Sequence, residues 1–112
     1  MNPLNGLSYR DAIKLLNRFL KPEINSKTYQ DPTFKPVDDI RKILLVHKFN
    51  CILDSVNVEY ENDIPIRKVW KYSCQFLNDK HKLNAVSLRI IASGVGDKGI
   101  PMDLYQVKAI AS

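Results

Sequence analysis

Residues 66–93 read IRKVWKYSCQFL, NDKHK and LNAVSLRIIAS in succession, and this stretch decides the fold. Ile66–Leu77 and Leu83–Ser93 are rich in β-branched and aromatic residues, which suit a pleated, half-buried surface. Between them, Asn78-Asp79-Lys80-His81-Lys82 is a polar turn. The two arms predict one long β-hairpin. Its charge is lopsided: Arg67, Lys68, Lys71, Lys80, Lys82 and Arg89 stand against Asp79 alone. That net of +5 equals the net charge of the whole chain, so the remaining residues balance.

Alternation along a strand sorts each arm into two faces. Trp70, Tyr72, Cys74 and Phe76 share one side of the first arm; Arg67, Val69, Lys71, Ser73 and Gln75 share the other. In the second arm Val86, Leu88, Ile90 and Ala92 oppose Ala85, Ser87 and Arg89. One face is therefore apolar and expected to lie under helices. The other carries Arg67, Lys71 and Arg89 among small polar neighbours. Cations and hydroxyl donors together suit phosphate oxygens. The plainer reading is a solvated outer face, which most antiparallel sheets have.

Working outward, 112 residues fit a single α+β domain over 1–112, with residues 1–7 expected to be loose. Ser8 can cap a helix, with Asp11 three positions on. Tyr9, Ala12, Ile13, Leu16, Phe19 and Leu20 then recur at helical spacing, and Lys21-Pro22 ends the run. Glu23–Lys35 reads as a loop in which Thr28–Gln30 can form a short strand. A second helix begins near Pro36, with Asp38 and Asp39 at the positive end of its dipole and Val37, Ile40, Ile43, Leu44 and His47 on its core stripe. Cys51–Tyr60 is the first strand of the sheet, with Ile52, Val56, Val58 and Tyr60 on one face and Asp54 placed in water by a strand end or bulge. Pro101–Ser112 fits either period, and a short C-terminal helix is expected there. The predicted architecture is two N-terminal helices on a three- to four-stranded antiparallel sheet with a long hairpin, closed by that last helix.

Catalytic constellations are thin. His47 belongs to a packed helix stripe and His81 to a lysine-rich turn, so neither has the orienting partner a nucleophile–base pair needs. His47, Cys51, Cys74 and His81 lack the local pairing of a zinc site, so no metal and no cofactor is expected. Gly94-Val95-Gly96-Asp97-Lys98-Gly99 follows a strand, but a dinucleotide site needs a helix and a second strand after it, and only thirteen residues remain. It reads as a flexible turn whose amides and Lys98 could meet a phosphate. The chain is expected not to be an enzyme. Two cysteines without a leader read as buried thiols of a cytoplasmic protein, with a cross-strand disulfide as the alternative. The longest apolar run, Ile43–Val46, cannot span a bilayer, and no membrane partner is expected.

Three segments carry a resemblance: Phe34–Leu44 (FKPVDDIRKIL), Gly94–Gly99, and Asp103–Ser112. They are similar to single-strand annealing proteins of the Rad52 type, in particular the phage branch called the ERF family. In that family the last helix continues into a basic, aromatic stretch beyond the end of this sequence. The resemblance implies oligomeric rings that bind single-stranded DNA in a positive groove and anneal it during phage or plasmid recombination, without nucleotide hydrolysis. Arg67, Lys71 and Arg89 would carry the backbone contacts; Lys80, Lys82 and Lys98 would be peripheral. The competing expectation is a small non-enzymatic phage or plasmid protein that inhibits a host protein, its basic face docked on an acidic surface.

Overall fold

Ile64–Leu77 and Leu83–Gly94 pair in unbroken antiparallel register from Arg67↔Ser93 to Leu77↔Leu83 in the computed structural model, which describes residues 1–20 and 28–112. These strands are β3 and β4. Asn78 closes their turn: its backbone N–H donates to the Lys82 carbonyl, and its side-chain oxygen accepts from the Lys80 and Lys82 amides. The remaining elements are α1 (Tyr9–Leu20), β1 (Thr28–Tyr29), α2 (Lys35–Val46), β2 (Asn50–Glu61) and β5 (Tyr105–Ala111). The sheet order is β1-β5-β4-β3-β2, with every neighbour antiparallel. The β2–β3 connection is a two-residue turn in which Asn62 and Asp63 both take positive φ, the backbone twist a tight hairpin needs.

Both helices cover one face. Ala12, Leu16 and Leu20 of α1, and Val37, Ile40 and Leu44 of α2, are buried against Tyr72, Cys74, Phe76, Val86, Leu88, Ile90 and Ala92. These are the residues that alternation assigns to the apolar side. Ser8 caps α1 by accepting from the Asp11 amide at 3.2 Å. The expected end of that helix at Lys21-Pro22, and the loop before Thr28, lie outside the described residues.

Several expectations need correction. The sheet has five strands rather than three or four, and residues 101–112 form no helix. Tyr105, Val107 and Ala111 are buried at strand spacing, and β5 pairs with β4 from Leu88↔Ala111 to Gly94↔Tyr105. Without β5 the whole outer edge of β4 would be left without partners; that long-range requirement overrides an ambiguous local period. Residues 1–7 are not loose: Leu4 is fully buried, the Gly6 amide donates to the Leu77 carbonyl, and Asn5 accepts from the Leu77 amide. His47 is not on a core stripe; it is the exposed C-cap of α2, packed edge-on against Phe19 with ring centroids 4.9 Å apart.

Two further corrections concern the cysteines and the faces of β2. Cys51 and Cys74 face each other directly across β2 and β3 and are joined as a disulfide rather than held as thiols. The face assignment of β2 also fails, for a physical reason. Register shifts between Leu53 and Ser55 and between Glu59 and Tyr60 mark bulges. Each inserted residue flips the alternation. Ile52 therefore pairs with Ser73 on the open side, while Val56 and Val58 pair with Trp70 and Lys68 on the helix side. Asp54 sits in the first bulge and accepts a hydrogen bond from the Ser73 hydroxyl.

Candidate nucleic-acid interface

The face turned away from the helices is where alternation collects the cations. Lys71 lies directly opposite Arg89 in the β3·β4 ladder, and Arg67 is four residues along β3 from Lys71, on the same face. Lys71 and Arg89 are exposed, and neither forms an ion pair among the described residues. Arg67 differs: its guanidinium is engaged by Glu59 on the adjacent strand. Like charges directly opposite in a sheet repel, by a few tenths of a kcal/mol up to about 1 kcal/mol. The Lys71–Arg89 pair thus opposes folding slightly and attracts an anion.

Between the cations the face is apolar. Val69 is only 7% exposed although it points away from the helices. The stems of long cationic side chains cover such surface while their heads stay in water. Asn57, Glu59, Arg67, Val69, Lys71, Arg89 and Ile91 together line a shallow depression of about 380 Å³.

β5 adds a cation that sequence reasoning missed. Arg89 pairs with Ile110 and Ile91 with Lys108, so Lys108 lies diagonal to Arg89 on the same face. Lys71, Arg89 and Lys108 form a row across three adjacent strands, with directly opposite side chains about 5 Å apart and diagonal ones about 7–8 Å apart at Cβ. Treating 101–112 as helical hid Lys108; its period-2 spacing from Gln106 and Ile110 was the available signal.

The remaining sequence candidates fall elsewhere. Lys80 and Lys82 are in the hairpin turn at one end of β4, and Lys98 is in the loop past the other end, roughly 35 Å away along the strand. The Lys98 amide is tied to the Asp103 carboxylate. The glycines around it are structural and not a phosphate cradle. Gly99 has φ 81°, and a Cβ there would collide with the Pro65 carbonyl. A Cβ on Gly96 would come 2.6 Å from the Asp103 carboxylate. The expected flexible turn is thus a close-packed one.

The aromatic rings of the hairpin arms are not on this face. Trp70 and Tyr72 point to the helix side, as alternation predicts, and Tyr72 is buried. Burial pushes the Tyr72 phenol above its ordinary range, and its hydroxyl has no hydrogen-bond partner among the described residues. Phe34, held at positive φ ahead of α2, packs edge-on against Trp70 at 5.3 Å. Lys68 lies over both rings at 5.0 and 5.1 Å, so this cation belongs to the helix side.

The chain matches no protein-family model, no curated protein and no solved structure. Of the three segments that resemble the ERF family, Asp103–Ser112 was expected to open a helix and instead contains β5. No helix is long and apolar enough to cross a membrane among the described residues.

Proposed function

We propose that the open face of the sheet binds single-stranded DNA through its backbone, without catalysis and without a cofactor. One observation carries the reading: Lys71 and Arg89 stand side by side, exposed and without carboxylate partners, with Lys108 in line on the next strand. Two carboxylates of β2, Glu59 and Asp54, are engaged by Arg67 and Ser73. Three cations in a row suit successive phosphates, and the apolar floor at Val69 and Ile91 suits sugars. With Trp70 and Tyr72 turned to the helices and unavailable for stacking, modest, sequence-indifferent affinity is expected. Arg67 becomes a secondary contact, and Lys80, Lys82 and Lys98 contribute little.

Annealing, as the Rad52-type resemblance implies, requires two strands held at once, and an assembly of several copies would supply that. The rival partner, an acidic protein surface, would meet the same three cations; salt dependence and competition by oligonucleotide separate the two.

The test is a gel-shift titration with single-stranded and duplex DNA at two salt concentrations. Three phosphate contacts predict a slope of log K against log salt of about −2 for single strands. Lys71→Glu with Arg89→Glu should abolish binding, Lys108→Glu should weaken it, and Lys80→Ala with Lys82→Ala should leave it nearly unchanged. Absence of binding at low salt, or binding indifferent to both charge reversal and salt, refutes the reading.

A further inference from the structure

The largest physical anomaly lies away from the cations, on β2. This edge strand has β3 on one side and no strand on the other among the described residues. Its large apolar residues are open to water: Tyr60 is 64% exposed, Leu53 46% and Val56 43%. Leu45 and Val46, at the end of α2, are 73% and 70% exposed. Leu45 and Leu53 line one cleft of about 370 Å³ with Leu44, Cys51 and Tyr72, and the cleft also takes in Lys42 and the Asp38–Arg41 ion pair from α2, so only an apolar side chain of an incoming strand fits there. An exposed apolar group of this extent beside an open strand edge marks an interaction surface.

The occupant can be argued from charge. Asn50–Pro65 contains Asp54, Glu59, Glu61 and Asp63 and no lysine or arginine, in a chain with a net charge of +5. Glu61 and Asp63 have no ion-pair partner among the described residues. A second copy presenting its own β2 would bring the same four acids against these. The β5 edge of a second copy is already occupied at both ends, by β1 at Tyr105 and Gln106 and by Asn17 at Ala111, which leaves only a short stretch between them. Both self-pairings are therefore disfavoured.

We propose that β2 is the docking edge for an extended, basic segment of a partner protein, which adds a sixth strand. The two bulges leave Ser55–Glu59 as the regular run, so pairing centres there. On the helix side, apolar residues of the incoming strand cover Val56 and Val58, and one anchors in the cleft beside Leu45 and Leu53. Backbone hydrogen bonds supply affinity, and Glu61 and Asp63, just beyond that run and without ion-pair partners among the described residues, select lysine or arginine there. This surface is separate from the open face, and neither proposal depends on the other.

The experiment titrates the isotope-labelled protein with a synthetic peptide of about seven residues alternating Lys and Val, and with a counterpart in which Glu replaces Lys. Amide chemical shifts and hydrogen exchange are read by NMR. The Lys peptide should shift and protect amides within Ser55–Glu59, and the Glu peptide should not. Val56→Lys with Val58→Lys should weaken binding at least about tenfold, roughly 1.4 kcal/mol, while circular dichroism and DNA binding stay unchanged. Four outcomes overturn the proposal: no shifts with the Lys peptide, equal binding of the Glu peptide, shifts confined to β5 or the open face, or dimerisation of the free protein through β2 in sedimentation.

Discussion

At the β5 edge the chain caps its own sheet at both ends of the strand. β1 pairs with Tyr105 and Gln106, and the Asn17 side chain of α1 both donates to the Ala111 carbonyl at 3.0 Å and accepts from its amide at 2.8 Å. One amide side chain thus stands in for a strand. At the β2 edge no strand or side-chain amide does the same among the described residues: the strand is twelve residues long, held to the sheet by β3 and the Cys51–Cys74 bond, and its two bulges and its acids blunt pairing with a like edge without covering it. Edges left open on one side only are informative, because folded proteins otherwise cover or blunt them. The closed edge serves the fold, whereas the open one is available to a partner.

The sharpest way to break this comparison is to free the β2 edge further. Cys51→Ser with Cys74→Ser removes a bond closing a loop of 23 residues and should cost about 3 kcal/mol by chain entropy, read as a lower urea midpoint. Hydrogen exchange should accelerate first in β2. If β2 and β5 loosen equally, the bond is not what holds the open edge. Next in size is Asn17→Ala, which strands the amide and carbonyl of Ala111 and should cost about 2 kcal/mol. Its exchange signature should be confined to β5 and α1.

Smallest is Tyr105→Phe, at about 1 kcal/mol, because one hydrogen bond from the phenol to the Asp31 carbonyl is lost. Here pH sharpens the result. Burial pushes the Tyr105 phenol up to about 12, above its ordinary 10.0. A group with a raised folded pKa contributes stability fully below its unfolded pKa and loses it as pH rises through the folded value. The native protein should therefore weaken between about pH 10 and pH 12, and Tyr105→Phe should weaken less over that window, as followed by near-ultraviolet circular dichroism during alkaline titration.

The hairpin was legible because its information is local. Period-2 alternation from Trp70 to Phe76 and from Val86 to Ala92 needs no knowledge of neighbours to sort buried from exposed. β5 was not legible, since Leu104, Val107 and Ile110 satisfy a helical period and Tyr105, Val107 and Ala111 a strand period. β2 was misread for a related reason: a single bulged residue at Asp54 reverses every side chain beyond it, and nothing in composition announces a bulge. The candidate site was half legible in consequence. Lys71 and Arg89 follow from the hairpin, while Lys108 required the placement of β5, and the neutralisation of Arg67 required Glu59 to be its cross-strand partner.

By itself, the sequence determined the long ribbon, its apolar side, the two helices that cover it, and the concentration of positive charge on its arms. Only tertiary structure decided which cations have carboxylate partners, that Cys51 faces Cys74, and which of the two sheet edges is closed. The physical reason is range: alternation and helical periodicity are set by neighbours within a few residues, whereas pairing partners lie tens of residues apart and are chosen by which open strand edge must be satisfied.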